Sequence, residues 1–399
     1  MTRVICLVDC DSFYVSCEQL DNPSYRNKPV CVVTGCVNNR GIVVSRSKEA
    51  KQYGIKMGAP LFTLKNMKQD IIFLPARMER YNEISRDVMN CLKSFSPQVE
   101  IVSIDEAYID LTSLNKLYRK TYVEIVQSIR KTVLKNTGIS VSIGLSTSKT
   151  LAKLASDKAK KTDGIFCISP KRIMSSIGSL NVEEISGIGH QSASLLKRNG
   201  IFTISDFIQQ SDAWIRQTLG KAGIELKHEL LGETVSLVDS TPKHPQSIMD
   251  SSVIGDFTRD SFILLNELHY HIHQACRKLR KHQAFCQTVG VHLKLKNFRT
   301  ITQKKSLKQA TQSEHDIGKI ADDLFSQIYH NDILYRSIGI ELSNLKYPPD
   351  IQADLFDEPI RENYLGKTID ELENKFGKNI IQIGWISYRH QTDTKKSSS

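Results

Sequence analysis

The sequence predicts a multidomain α+β protein built around an antiparallel-rich sheet. Its 399 residues exceed what one hydrophobic core usually serves, so more than one domain is expected. Apolar strand runs and helical periodicities alternate, and over residues 76–168 two strands follow one another between helices. That order suits a βαββαβ unit with helices on one face. Two of the strands end in carboxylates, so the sheet also carries the candidate chemistry.

Composition narrows the function. The net charge is +11 and the sequence pI about 9.1, yet 43 acids remain, which describes a folded protein with basic surfaces rather than a basic tail. Such a balance favours a polyanionic partner, DNA or RNA before membrane. Nine cysteines are present with no Cys-x-x-Cys pair, so reduced thiols in a cytosol are expected rather than a disulfide framework or zinc site. No charged-then-apolar leader precedes the first strand and no apolar run reaches transmembrane length. A soluble, cytoplasmic protein is the expectation.

The central stretch is Ser103-Ile104-Asp105-Glu106-Ala107-Tyr108-Ile109-Asp110. Its β-branched and aromatic flanks read as strands meeting at a tight bend. Neighbouring strand residues point to opposite faces, so two adjacent acids serve one site only where the chain turns. The second stretch is Val4-Ile5-Cys6-Leu7-Val8-Asp9, an apolar strand ending in an acid and continuing Cys10-Asp11-Ser12-Phe13-Tyr14. Carboxylates gathered at strand ends are what a pair of Mg²⁺ ions requires, because hard cations take oxygen ligands.

Leu-Val-Asp-Cys-Asp-Ser-Phe-Tyr near the N-terminus, followed about a hundred residues later by Ser-Ile-Asp-Glu-Ala-Tyr, resembles the Y-family of translesion DNA polymerases. The DNA polymerase IV type and the DNA polymerase V catalytic-subunit type are the relevant kinds. The resemblance runs from about Cys6 to Phe356. It implies a right-hand polymerase with a βαββαβ palm, small α/β fingers, a helical helix-hairpin-helix thumb and an α/β little finger. On this sequence those parts fall at 1–28 and 76–168 (palm), 29–75 (fingers), 169–235 (thumb), 236–247 (linker), 248–343 (little finger) and 344–399 (tail).

Each part has its own signals. In the first helix Phe13, Cys17 and Leu20 recur at helical spacing, and Tyr14 matches the family's steric gate, a ring that leaves no room for a 2′-hydroxyl. The fingers read as strand 29–33, a turn into a second strand over 38–45, and a helix over 46–54 stopped by Gly54. Where the family keeps a Tyr and an Arg against the triphosphate, this helix has Lys48 and Lys51. Lysine brings charge without the guanidinium fork. Helix 79–95 carries Tyr81, Ile84, Val88, Met89 and Leu92 along one side. A second helix aligns Val123, Val126, Ile129 and Val133. After strand 139–144, helix 149–158 turns Leu151, Leu154 and Ala155 inward, and Lys160 falls where the family binds triphosphate, with Lys161 the adjacent alternative.

In the thumb, Val182 to His190 followed by Ser194-Leu195-Leu196-Lys197 forms a helix-hairpin-helix pattern. Its Gly187-Ile188-Gly189 turn lets backbone N–H groups approach a DNA phosphate, a contact blind to base sequence. The polar, Pro-containing stretch 236–246 reads as a linker. Between Arg277 and Lys308 stand ten Lys or Arg and no acid. Strand 289–296 alternates there, setting Lys294 and Lys296 on one face, with Arg299 following. A basic sheet face of this kind grips a duplex backbone without reading bases. His269, His271 and His273 are two apart on a helix and face different ways, so they read as structural. In the tail, Gln352-Ala353-Asp354-Leu355-Phe356 is similar to a sliding-clamp-binding peptide, with Gln352, Leu355 and Phe356 as contacts and Ala353 in place of the usual Leu. Residues 364–386 read as a short helix plus a strand, and 395–399 as disordered.

The implied reaction is template-directed addition of a deoxynucleoside monophosphate to a primer 3′ end. Two Mg²⁺ ions would sit on Asp9, Asp105 and Glu106, with Lys48, Lys51 and Lys160 balancing the triphosphate. The resemblance implies low fidelity, a monomer, and DNA, dNTPs and a sliding clamp as partners, with accessory subunits possible. A metal-dependent nuclease or a non-catalytic DNA-binding accessory is the alternative. A nuclease has no use for the gate tyrosine or the triphosphate lysines.

Overall fold

The structure is a computed structural model that describes residues 3–34, 41–64, 67, 70–348 and 364–377. They divide into two units, Met1–Thr241 and Pro242–Ser399.

In the first unit, β1 (Ile5–Cys10) is buried along its whole length, which its unbroken apolar run anticipates for a strand covered on both sides. α1 (Phe13–Asp21) follows at once and buries Phe13, Val15 and Cys17. β2 (Val30–Thr34) and β3 (Ile42–Arg46) lead to α2 (Lys48–Gln52), α3 (Leu61–Leu64) and β4 (Ile72–Pro75). These strands form a separate sheet in the order β3-β2-β4 over a small core that includes Cys31, Val43, Ala50 and Leu61. α2 is shorter than the predicted 46–54 helix. Arg46 still belongs to β3, and the Ser47 hydroxyl caps the helix by accepting from the Ala50 N–H at 3.2 Å, which fixes the start at Lys48.

α4 (Met78–Lys93) turns Tyr81, Ile84, Val88, Met89 and Leu92 inward as its spacing predicts. β5 (Val99–Ile101) and β6 (Glu106–Asp110) make the expected hairpin. α5 (Leu114–Tyr118) and α6 (Tyr122–Thr137) come next. In α6 the inward face is Ile125, Val126, Ile129 and Val133, while Val123 is 42% exposed. The capping box of Thr121 and Glu124 fixes where the helix starts, and with those four residues on the core side the predicted Val123, in the first turn, faces outward.

β7 (Val141–Ser146), α7 (Lys149–Ala159) and β8 (Ile165–Cys167) complete a sheet of order β5-β6-β1-β7-β8, antiparallel except for β7–β8. Helices cover both faces rather than one. Cys6, Val8 and Cys10 join Tyr81, Val88, Ile129 and Val133 in one core, whereas Ile5 and Leu7 pack with Ala152 of α7 and Val238. Strand alternation therefore puts Ile5, Leu7 and Asp9 on the α7 side. Gly144 allows this packing, since a Cβ there would lie 2.1 Å from both Ala152 O and Ser156 N.

α8 (Ile173–Ile177), α9 (His190–Arg198), α10 (Ile204–Gln209) and α11 (Asp212–Leu230) form the helical remainder around Leu154, Ile177, Leu196 and Phe207. The first helix of the predicted hairpin motif is only a 3-10 turn, Val182–Glu184. Gly187 turns at φ 100 before Gly189 caps α9, a backbone shape that a side chain would strain. The start of the predicted linker is not free. Val238 is buried, Glu229 Oε1 accepts from Ser236 N at 3.0 Å, and Glu100 Oε2 accepts from Asp239 N at 2.7 Å.

The second unit reads β9 (Ser247–Thr258), α12 (Ser261–Lys281), β10 (Phe285–Leu295), β11 (Thr300–Thr311), α13 (Glu314–Ile328), β12 (Tyr335–Lys346) and α14 (Tyr364–Phe376). The antiparallel order β11-β10-β12-β9 packs on α12 and α13 through Leu268, Ile272, Val289, Val291 and Phe325. β10 ends at Leu295 after a register shift, so Lys296 does not continue its face. Four of the ten basic residues between Arg277 and Lys308 find acids elsewhere. Arg277 pairs with Glu373, Lys278 with Asp250, Arg280 with Asp370 and Lys304 with Glu341. Among the described residues no helix is long and apolar enough to cross a membrane.

The close approach at Gly144 gives a test of the fold. Gly144→Ala should lower stability by about 2 kcal/mol or more, because overpacking against backbone cannot relax by a rotamer change. Thermal melting of the full chain measures it, and an unchanged melting temperature would mean that α7 does not need this contact.

Candidate active site

The pairing of β1 with β6 builds the acidic centre. Asp9 lies opposite Glu106 in the register, and Cys10 N–H donates to Asp105 O at 2.9 Å. The bend before β6 is held by Ser103, whose hydroxyl donates to Asp105 Oδ1 at 2.5 Å and accepts from Glu106 N at 3.1 Å. The short Asp11-Ser12 turn joins β1 to α1, with Ser12 at φ 47, a conformation rare for a residue with a side chain. Asp11 is fixed by Ser140 Oγ at 3.0 Å and Ser142 Oγ at 2.7 Å.

One cavity of 560 Å³ collects Asp9, Tyr14, Lys48, Lys51, Asp105, Glu106 and Lys160, although the sequence scatters them over more than 150 positions. Of the two lysines considered at the end of α7, Lys160 is the one that lines it. Its Nζ lies 2.7 Å from Asp9 Oδ2. Three further lining residues escaped the sequence reading: Asp11, Arg46 and Lys153. Lys153 Nζ is 2.5 Å from Glu106 Oε2 and 3.1 Å from Asp9 Oδ2. The available signal was its place seven residues before Lys160, two turns along the same helix face. Arg46 gave no signal in advance. Its Nε is buried without a hydrogen-bond partner, an arrangement that costs free energy until an acceptor arrives.

The charges adjust to one another. Burial works against the charge on Lys153, but hydrogen bonding to Glu106 and the charge of Asp9 outweigh it and hold the ammonium above the ordinary lysine range. Lys160 moves the same way, with burial opposed by Asp9. Lys51 moves down, because burial and then the neighbouring Arg46 and Lys160 disfavour its charge. Burial, reinforced by Asp105, raises the Tyr14 phenol.

Tyr14 is braced from behind. Its ring stacks on Tyr81 with centroids 4.6 Å apart and planes at 15°. Tyr81 is fully buried and donates its hydroxyl to Glu18 Oε1 at 2.6 Å. Arg77 holds Glu18 with two hydrogen bonds, at 2.9 and 2.7 Å. The fork fixes the carboxylate, the carboxylate fixes Tyr81, and Tyr81 limits how far Tyr14 can tilt.

Among the described residues no three His, Cys, Asp or Glu side chains converge as a metal cage. The donors nevertheless suit a hard divalent ion. Asp9, Asp105 and Glu106 offer only carboxylate oxygens, and all three line the same cavity. Where Asp9 and Glu106 come together, the lysine ammoniums already stand. The three histidines on α12 each pair with a different acid: His269 with Asp322, His271 with Asp250 and His273 with Glu314.

The other predicted site residues lie apart from this cavity. Gly187 and Gly189 form the turn before α9. In the second unit Lys294 sits at the end of β10 with its Nζ 5.4 Å from the Phe298 ring centroid, and Lys296 and Arg299 are exposed in the turn that follows. Gln352, Leu355 and Phe356 lie outside the described residues. A larger cavity of 870 Å³ between α12 and α14 is lined by Arg277, Lys278 and Arg280, whose charges are met by the acids named above.

Comparison with known proteins points one way. A family model described as the impB/mucB/samB family matches residues 8–157, and the model of that family's C-terminal domain matches residues 245–355. DNA polymerase IV of Oceanobacillus iheyensis is 31% identical over 384 residues, 95% of this chain and 91% of that protein. DNA polymerase IV of Halorhodospira halophila is 32% identical, covering 89% and 98%. Among solved structures, a Y-family DNA polymerase chimera of Dbh and Dpo4 superposes with a TM-score of 0.75 at 25% identity, over 86% of this chain and 99% of that one. The insertion ternary complex of Dbh DNA polymerase superposes with a TM-score of 0.58, also at 25% identity and with the same coverage.

Proposed function

The chain belongs to the impB/mucB/samB family, the Y-family of DNA polymerases, and from that premise we propose that the cavity of Asp9, Asp105 and Glu106 is where a nucleotide is joined to a primer. The protein is a DNA-directed DNA polymerase of translesion synthesis, acting on primer-template DNA and deoxynucleoside triphosphates. Low fidelity and dependence on divalent metal are general features of the family. The single observation that carries the assignment of the site is that acids, gate tyrosine and triphosphate lysines all line one cavity.

We assign Asp9, Asp105 and Glu106 as the ligands of two Mg²⁺ ions, and Tyr14 as the sugar gate. When bound, such ions lower the pKa of the primer 3′-hydroxyl and screen the triphosphate. The chain's own residues do the positioning. Lys48, Lys51 and Lys160 attract the phosphates, and Arg46 offers the guanidinium fork that lysine lacks at the two departing positions. Its unpartnered buried Nε is a donor waiting for an oxygen acceptor. Tyr14, braced by Tyr81, closes the space beside C2′ of the sugar. The turn at Gly187 and Gly189, with Lys294, Lys296 and Arg299, provides sequence-blind contacts to the DNA backbone. We place the domain boundaries as the sequence predicts, with the linker fixed to the first unit as far as Asp239. A monomer working in the cytoplasm completes the reading, and free, mostly buried cysteines among the described residues fit a reducing compartment.

Primer extension with Mg²⁺ and single dNTPs tests this directly, since a nuclease would shorten the primer. Asp105→Ala or Glu106→Ala should abolish extension and leave DNA binding nearly intact. Activity within tenfold of wild type, a barrier change of only ~1.4 kcal/mol, would refute the ligand assignment.

Tyr14→Ala should raise the ratio of ribonucleotide to deoxynucleotide insertion. Tyr81→Leu should move it the same way by a smaller factor, because the gate ring loses its support. An unmoved ratio in Tyr14→Ala would mark that residue as packing alone.

A sliding clamp is the partner we infer for Gln352, Leu355 and Phe356. Such an apolar pair in a polar segment gains little by staying in water. Changing Leu355 and Phe356 to Ala should leave clamp-free extension unaltered and abolish stimulation by the cognate clamp. Lost clamp-free activity or a lower melting temperature would instead assign the pair to the enzyme's own body.

A further inference from the structure

We propose that Lys153 is the resident counter-cation of the acidic centre, a positioning residue that bridges Asp9 and Glu106 in the metal-free enzyme and competes with the divalent ion for their oxygens. This rests on the reading of Asp9, Asp105 and Glu106 as metal ligands. Lys153 is the residue that spans the centre. Its Nζ lies 2.5 Å from Glu106 Oε2 and 3.1 Å from Asp9 Oδ2, with only 22% of its side chain exposed. Lys160 shares Asp9 Oδ2 at 2.7 Å but makes no ion pair with Glu106 among the described residues. Without Lys153 two facing carboxylates, one of them nearly buried, would repel each other across the β1–β6 pair.

The anchor of this ammonium is rigid. α7 starts at the Ser148 cap, buries Leu151, Leu154 and Ala155, and presses its backbone onto Gly144. The Lys153 Cα is therefore set by the fold, while its four-carbon stem can swing. A divalent ion held by Asp9 and Glu106 would compete for oxygens that the ammonium already contacts, and the half-buried cavity cannot screen that like-charge contact well. Lys153 must then leave, and the anion nearest at hand is the phosphate of substrate. Metal loading and nucleotide loading become coupled: nucleotide draws the lysine off the acids, and the acids become free to bind metal.

The test is Mn²⁺ binding to the full chain without DNA or nucleotide, read from the electron paramagnetic resonance signal of free Mn²⁺, together with melting curves in chelator. Lys153→Met should bind Mn²⁺ tighter, on the order of tenfold, the scale of one partly screened charge pair. It should also melt lower than wild type in chelator and recover when Mn²⁺ is added. Lys153→Arg should stay near wild type on both readings. If methionine compromises folding, Lys153→Gln takes its place, with tighter binding again expected. Unchanged or weaker Mn²⁺ binding in a folded Lys153→Met or Lys153→Gln protein, while Asp9→Asn abolishes binding, would overturn the role of Lys153 and leave the ligand assignment standing. Wild-type Mn²⁺ affinity in Asp9→Asn would overturn the ligand assignment and this proposal together.

Discussion

The register between β1 and β6 is the constraint on which the rest of the site depends. A slip of one residue would turn every side chain of β1 to the other face. Cys6, Val8 and Cys10 would leave the core they share with Tyr81 and Ile129, and Asp9 would no longer lie opposite Glu106. Because β1 is buried on both sides, a slip would also turn the Asp9 carboxylate toward the apolar core on the α4 side, and burying a charge among apolar side chains is costly. The alignment that stabilises the sheet is thus the alignment that assembles the acids. Chemistry and packing are selected by one register, and the Ser103 bend sets Asp105 and Glu106 beside Asp9.

Charge is the second constraint. Four carboxylates (Asp9, Asp11, Asp105, Glu106) and five cations (Arg46, Lys48, Lys51, Lys153, Lys160) line the same cavity. At an effective dielectric constant near 20, two unit charges 4 Å apart interact by about 4 kcal/mol, so such a crowd is tolerable only when the signs are interleaved. Interleaving is what the distances show: Lys160 on Asp9, and Lys153 between Asp9 and Glu106. The pair of divalent ions proposed for this cavity and a triphosphate would carry roughly equal and opposite charge. Arriving together they leave the balance nearly unchanged, whereas either alone would upset it.

Much of this was legible in the sequence. Acids at two strand ends and the inward faces of α4 and α7 follow from period and position, Tyr14 was singled out by the resemblance, and the structure brings the acids and Tyr14 to one cavity. Two of the misreadings were local in origin. α2 begins at Lys48 because Ser47 caps it, and α6 turns Ile125, Val126, Ile129 and Val133 to the core, so Val123 faces out although the spacing allowed it inward. The basic stretch 277–308 looked unopposed because the acids that meet four of its ten cations are distant in sequence. Arg280 meets Asp370 across ninety positions, and no window of sequence shows that.

The absence of Lys153 from the sequence reading has a more instructive cause. Helix periodicity puts Lys153 and Lys160 on one face of α7, but not which face of the sheet that helix covers. The missing information is β8, three residues long and too short to stand out as a strand. Once β8 is known to lie parallel to β7, β7-α7-β8 is a crossover unit, and such units are right-handed in nearly all cases. Handedness then selects one face of the sheet for α7. The packing of Ile5 and Leu7 against Ala152 identifies it as the face of the odd-numbered β1 residues, and Asp9 is the next of these. A lysine on the inner side of that helix therefore has to meet the acids. A weak three-residue strand at the sheet edge thus decides where the lysines of this cavity stand.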